Sequence, residues 1–316
     1  MVLIKKNWLD YSALQKLLQK SFQEFDVTDL KIQQSILAKY ATELDEKNLL
    51  AIELYEKDNL VASAISVYKR FYSNCGPLRL SFLTQVIVQE QFRGKGYLKL
   101  LMESVKESDI ENSSLGSVVI ARRKIGDMYY KFGYKGFGIF PKVIFETIQE
   151  SKKSSRKKAI DLELTAKTYE ITYGNIAGSI YRADTFWKYI RDELLNSRYF
   201  YDSVKIGSNF GYFIYYKNEC IEIAGSTESV YSELIEKSLN LGVDTYKIGS
   251  NHPAFQSLID IGGAYSIRPE PTEGHLLKPY QKGNFLFDYL SKISKNLADE
   301  NKKYKYSIDI NLLNEW

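Results

Sequence analysis

The sequence predicts an α/β (α+β) protein of two successive domains, each a mixed, mostly antiparallel sheet flanked by helices. Three observations carry that prediction. The chain has 316 residues, enough for two cores at about 100–200 residues per domain. Segments of strand and helix periodicity alternate over its first half in the order β-α-α-β-β-β-α-β-α-β. Part of that order returns after a break in composition, as a diverged tandem duplication would leave it.

Residues 2–5 read as a short first strand. Leu14, Leu17 and Leu18, then Leu30, Ile36 and Leu37, recur at helical spacing and predict two amphipathic helices. Residues 49–55 and 60–71 alternate and are partly β-branched, with the turn formers Asp58 and Asn59 between them, which signals a hairpin. Residues 78–88 are a further strand, apolar towards its end as a strand covered on both faces is. Leu98, Leu101, Met102 and Val105 give a helix stripe. A buried strand at 118–121, a short helix at 128–132 and a strand at 137–144 complete the first half.

Residues 149–158 hold almost no apolar side chain and carry Lys152, Lys153, Arg156, Lys157 and Lys158. Such a run reads as a solvated linker before it reads as a phosphate or nucleic-acid contact. The expected organisation is therefore a first domain at 1–148, a basic linker at 149–158 and a second domain at 159–316. In the second, Tyr181, Trp187, Ile190 and Leu194 fit a helix. Residues 200–205 and 212–216 fit a hairpin with Gly207, Ser208, Asn209 and Gly211 in its turn. A strand at 220–224, a helix through Val230, Leu234 and Leu239, a strand at 245–248 and a short helix ending near Gly262 follow. Residues 286–297 predict a last helix and 304–313 a polar, extended tail.

Composition excludes several classes. With 44% hydrophobic and 26% charged residues the chain reads as globular, and six prolines argue against long disordered stretches. A net charge of +4 is too small for a nucleic-acid binder. Cys75 and Cys220 are far apart, so no disulfide scaffold is expected. Without a CxxC pair, and with only His252 and His275, no metal site is expected either. No run of about 18 apolar residues predicts a membrane span, and the N-terminus lacks a signal-peptide core, so the cytoplasm is the expected compartment.

The chemistry should sit at Gln91-Phe92-Arg93-Gly94-Lys95-Gly96, directly after a buried strand and directly before an amphipathic helix. Gly94 and Gly96 let the backbone bend and approach a ligand. The N–H groups of Arg93 to Tyr97 can then converge at a helix N-terminus, where the dipole favours an anion. Arg93 and Lys95 add positive charge. These features predict a pyrophosphate cradle that is neither a P-loop nor a dinucleotide fingerprint.

The order Q-x-x-G-x-G after a strand resembles motif A of the GNAT superfamily of acyl-CoA-dependent N-acyltransferases. Met128-Tyr129-Tyr130-Lys131-Phe132-Gly133-Tyr134 is similar to that superfamily's F-Y-x-K-x-G-F segment. The resemblance covers about residues 1–145, and element order alone extends it to a tandem, degenerate second domain. It implies that Gln91, Arg93, Gly94, Lys95, Gly96 and Tyr97 bind the pyrophosphate of acetyl-CoA or a longer acyl-CoA. It implies that the backbone of Val86 and Val88 pairs with the pantetheine arm, on a strand splayed from its neighbour. Tyr129 would be the general acid, with Tyr130 as second choice.

Two departures stand out. The strand at 78–88 carries Arg79, Ser81, Thr84 and Gln85 but no carboxylate, and Arg122 stands where an asparagine is frequent. The general base is thus unassigned, with Glu53, Glu56 and His275 as candidates. The second half has Ala224-Gly225-Ser226-Thr227-Glu228 at the matching junction, an ordinary helix start that predicts no CoA binding there. Cys220 and His252 read as packed or capping residues. The function expected is direct acyl transfer to a primary amine, with the architecture similar to enzymes acting on nucleotide-linked amino sugars of the dTDP-3-amino-3,6-dideoxyhexose type. Protein, aminoglycoside or small-amine acceptors are alternatives, as is a non-catalytic acyl-CoA-binding regulatory module. No nucleic-acid partner is expected, and the chain would act as a monomer or homodimer.

Overall fold

The computed structural model describes residues 1–7, 12–14, 16–17, 48–72, 76–120, 126–136, 139–145, 159–176, 179, 181–182, 187, 199–248, 252–261, 265–271 and 275–280. Cys75, Arg122, the helix expected at Leu30–Leu37, the basic linker, the last helix and the tail lie outside these residues.

The first sheet is built from β1 (Val2–Lys6), β2 (Leu49–Glu56), β3 (Asn59–Phe71), β4 (Leu78–Val88), β5 (Gly116–Ile120) and β6 (Lys135–Gly136). Helices α1 (Tyr97–Glu111) and α2 (Gly126–Tyr130) follow β4 and β5. The β2–β3 turn is centred on Lys57 and Asp58, both at positive φ, one residue earlier than the sequence suggested. Leu101, Met102 and Val105 of α1 bury against Ile52, Leu54, Ala62, Ala64, Leu83 and Val119. The two alanines on β3 let the helix approach the sheet closely.

The second half contributes α3 (Leu162–Tyr173), β8 (Phe200–Ile206), β9 (Asn209–Tyr216), β10 (Glu219–Gly225), α4 (Glu228–Asn240), β11 (Thr245–Lys247), α5 (Ala254–Asp260), β12 (Tyr265–Pro271) and β13 (His275–Pro279). Asp161 caps α3 by accepting from the Leu164 N–H at 3.1 Å. Alternate residues of β9 face opposite layers: Tyr212 and Ile214 pack with α3, Phe213 and Tyr215 with α4. Gly211 lies in β9 and not in the turn, because Val230 and Leu234 of α4 fill the space a side chain would need.

The two sheets exchange strands. Strand β7 (Ile139–Phe145), read from sequence as the end of the first half, pairs instead with β11 and β12 in a second sheet of order β12-β7-β11-β10-β9-β8. In return β13 lies between β5 and β6 in the first sheet, of order β1-β2-β3-β4-β5-β13-β6. Periodicity marks a segment as a strand but does not say which open edge it will join. Among the described residues each sheet has one parallel pair, β4–β5 and β10–β11, spanned by α1 and α4 respectively.

The seam is made elsewhere too. The Tyr72 N–H donates to Ser179 O at 2.7 Å, and the Tyr181 N–H to Arg70 O at 2.8 Å. Tyr181 therefore extends along β3 and does not belong to the helix expected around it. Behind it the fully buried Arg182 forms a bidentate pair with Glu222 at 2.6 and 3.0 Å, and Tyr212 donates to the same carboxylate at 2.6 Å.

After β13, Tyr280 anchors the exchanged strand to α1. Its N–H donates to Leu115 O at 3.1 Å and its hydroxyl to Asp109 Oδ2 at 2.6 Å. Burial pushes the Asp109 carboxyl up to about 6, although the hydroxyls of Tyr280, Ser81, Tyr68 and Ser66 favour its charge. Lys278 is near enough to feel that charge. A folded pKa above the unfolded one means that stability is complete at low pH and is lost as pH rises through about 6. Asp109→Asn retains an acceptor for Tyr280 and removes that loss. Its Tm should exceed the wild type by roughly 2–5 °C at pH 7.5, with the gain shrinking towards pH 4 in parallel melts. A gain that does not vary with pH would place the effect elsewhere.

Candidate functional site

The site begins where β4 leaves β5. Among the described residues the two strands pair only at Ser81, Phe82 and Leu83, opposite Ser117, Val118 and Val119. Just beyond, the register of β4 against β3 slips: Thr84 faces Ile65, but Ile87 faces Ser63. The extra residue lies at Gln85, whose φ of 49° is left-handed in a non-glycine residue. A bulge bends its strand and ends regular pairing, so the end of β4 diverges from β5. Val86 and Val88 lie on this free stretch, half-buried at the margin of the first core.

The strand then enters a 3-10 turn, Glu90–Phe92, and the glycine loop. Gln89 ties the root of the loop to β3, its N–H donating to Val61 O at 2.9 Å and its Nε2 to Leu60 O at 2.7 Å. Gln91 Nε2 donates to Gln89 Oε1 at 3.4 Å, and Arg93 Nε to Val88 O at 3.4 Å. Gly94 and Gly96 sit at φ of 79° and 83°, and a Cβ at either would meet nothing within 4 Å. Backbone conformation, not crowding, therefore requires glycine here, and the space before the loop is open. Gly96 starts α1 without a side-chain cap. The N–H groups of the first turn are left facing outwards, beside Arg93 and Lys95.

Aromatic side chains support the loop. Lys95 Nζ lies 4.7 Å from the Phe92 ring, which stacks on Tyr97 at 6.1 Å, and the Tyr97 hydroxyl donates to Glu56. Tyr129 is 4% exposed within the same apolar cluster that borders Val86, Val88, Phe92 and Tyr97. Its ring meets Tyr134 edge-on at 5.5 Å, and burial pushes its hydroxyl up to about 12. Tyr130 is half exposed and not part of that cluster. The structure thus brings Tyr129 and the loop into one cluster and leaves Tyr130 outside it.

Neither hairpin glutamate is free. Glu53 is buried in an ion pair with Lys6 at 2.7 Å and accepts from Tyr55 at 2.8 Å, while Glu56 holds Tyr97. His275, which sequence placed beyond the second core, belongs by its main chain to the first sheet, opposite Ile120 at the end of β5. Cys220 is buried on β10, its thiol pushed up by that burial. Among the described residues no cluster of His, Cys, Asp and Glu could hold a metal ion, and no helix is long and apolar enough to cross a membrane.

The second sheet repeats the divergence and closes it. Among the described residues β10 pairs with β11 only at Glu219 and Cys220. Beyond them, Tyr173 donates to Ile223 O at 3.0 Å, and Thr172 Oγ1 exchanges hydrogen bonds with the Gly225 N–H and carbonyl at 3.2 Å. Tyr231, from the opposite face, reaches Thr172 at 2.9 Å. His252 packs against Tyr173 and Tyr231 at 5.2 and 6.1 Å, and its Nδ1 accepts the Ala254 N–H at 3.1 Å. Burial holds His252 down to about 3, so it fills this gap uncharged. Four side chains from three places along the chain make this plug, which no local motif could have announced.

No protein-family model matches the sequence, and no curated protein matches it. Solved structures do resemble the fold. A GCN5-related N-acetyltransferase from Anabaena variabilis aligns with TM-score 0.63 and 13% identity over 89% of this chain and 73% of its own. One from Kribbella flavida gives TM-score 0.60 and 14% identity over 88% and 72%. Eis1 of Mycobacterium abscessus gives 0.58 and 13% over 88% and 74%. The chain therefore has the GCN5-related N-acetyltransferase fold in tandem, with the double-glycine loop in its first half.

Proposed function

We propose that the chain is an acyl-CoA-dependent N-acyltransferase whose first half binds acetyl-CoA or a longer acyl-CoA and whose second half shapes the acceptor pocket. The observation that carries this is the passage from the diverging end of β4, through Gly94 and Gly96, into an uncapped helix. The residues fit the co-substrate: open space and uncapped N–H groups for a pyrophosphate, and a strand end at Val86 and Val88 that has parted from β5 for an extended arm. Acyl-CoA supplies the activated acyl carbonyl. Tyr129, a phenol that is protonated at physiological pH and that burial keeps so to still higher pH, offers an O–H to the departing sulfur.

The acceptor we propose is the primary amine of a nucleotide-linked amino sugar, such as a dTDP-linked amino-deoxyhexose used for lipopolysaccharide O-antigen, met in the cytoplasm. The two-domain size and the closed second sheet support an acceptor bound between the halves. Free-thiol release from acetyl-CoA and 3-hydroxybutyryl-CoA tests the reading against dTDP- and UDP-amino sugars, an aminoglycoside, a polyamine and a lysine peptide. Turnover is expected with one nucleotide sugar. Tyr129→Phe should then lower kcat about tenfold to a hundredfold without weakening acetyl-CoA binding. The absence of a carboxylate on β4 favours one rival. Tight CoA binding with no thiol release from any amine would make the chain a binding module.

A further inference from the structure

The acyltransferase reading leaves the attacking amine without a partner, since β4 has no carboxylate and both hairpin glutamates are engaged. Two unusual features coincide at Gln85. Its backbone is left-handed at φ 49°, which a non-glycine residue adopts only when its surroundings impose it. Its side-chain Oε1 is buried and has no hydrogen-bond partner among the described residues, a condition folded proteins rarely leave unmet. Both lie two residues past the last β4–β5 pair, at the root of the divergence, with Val86 next to it bordering the Tyr129 cluster.

We propose that Gln85 positions the acceptor amine, its Oε1 accepting one N–H of the neutral amine. This rests on the acyltransferase reading and supplies its missing contact. The nitrogen lone pair forms the N–C bond as the C–S bond breaks. The sulfur keeps the bonding pair and takes a proton from Tyr129, while the nitrogen's surplus proton passes to water, which restores the phenol. An amide oxygen accepts a hydrogen bond but takes no proton. The rate therefore follows the amine's own ionisation, rising with pH, and a carboxylate at position 85 would supply the base that is lacking.

Two readouts test this. With the protein saturated with CoA, the side-chain amide resonance of Gln85, assigned by its loss in Gln85→Ala, should shift on titration with butylamine at pH 9. No shift overturns the proposal. In thiol release, Gln85→Ala should raise the amine KM about tenfold, as loss of one buried hydrogen bond does, with acetyl-CoA affinity unchanged. Gln85→Glu should move the rising limb of kcat/KM about one pH unit lower. A Gln85→Glu profile superimposable on the wild type overturns the proposal. A butylamine shift without thiol release from any amine leaves Gln85 as an amine contact and removes the acyltransferase reading. Thiol release without the shift removes Gln85 alone.

Discussion

A chain ending at residue 148 is expected not to fold, although it contains the whole glycine loop and Tyr129. The first sheet lacks its sixth member without β13, which pairs with β5 over five residues, from His275 opposite Ile120 to Pro279 opposite Gly116. Among the described residues β6 is joined to that sheet only through β13, so it too would lose its place. Leu276 and Leu277 are each 1% exposed, and each missing side chain removes about 2 kcal/mol of burial. The ladder carbonyls and N–H groups of β5 would be uncovered in the middle of a sheet, where unpaired polar groups are costly. Tyr280 would also be missing from Asp109. With natural stabilities of about 5–15 kcal/mol, these losses suffice to unfold the half. Circular dichroism and a thermal melt would check it. A cooperative transition in the 1–148 chain would show that the strand exchange is dispensable. Residues 149–316 produced as a second chain alongside it should restore a folded pair.

Gly96→Val is expected to remove CoA binding while the protein stays folded. At φ 83° a β-branched side chain is strained, so the backbone must relax away from the conformation that turns the first-turn N–H groups outwards. Each charge-assisted hydrogen bond lost to a diphosphate is worth about 1.5–3 kcal/mol, or roughly tenfold to a hundredfold in Kd. The added carbons would meet nothing within 4 Å, so the cost to the fold is limited to the local strain. Calorimetric titration of the wild type should show one CoA per chain, because the matching gap in the second sheet is filled by Thr172, Tyr173, Tyr231 and His252. Undiminished affinity in a folded Gly96→Val protein would mean that the loop is not the binding site. A second site in the wild type would mean that the plug opens.

The loop and its setting were legible in the sequence because they are local. Gly94 and Gly96, the strand before them and the stripe Leu98, Leu101, Met102 and Val105 after them lie within about thirty consecutive residues, and each is set by backbone sterics or by periodicity. The hairpins were legible for the same reason, the first to within one residue of its Lys57–Asp58 turn and the second to within three, its outgoing strand starting at Asn209. What only the tertiary structure decided depends on contacts between distant segments. Strand pattern made 139–145 and 275–279 strands, but the choice of β11 or β5 as neighbour turns on which edge is open when the chain arrives. Gly211 reads as a turn former until Val230 and Leu234, some twenty residues on, are seen to occupy its side-chain space. The bulge at Gln85 has no glycine to announce it, and it arises where β4 must keep pairing with β3 while parting from β5. Glu53 and Glu56 have ordinary sequence surroundings; Lys6 and Tyr97, 47 and 41 residues away, are what engage them. Backbone chemistry is written in neighbouring residues, whereas the pairing of charges, edges and gaps exists only once the chain has closed on itself.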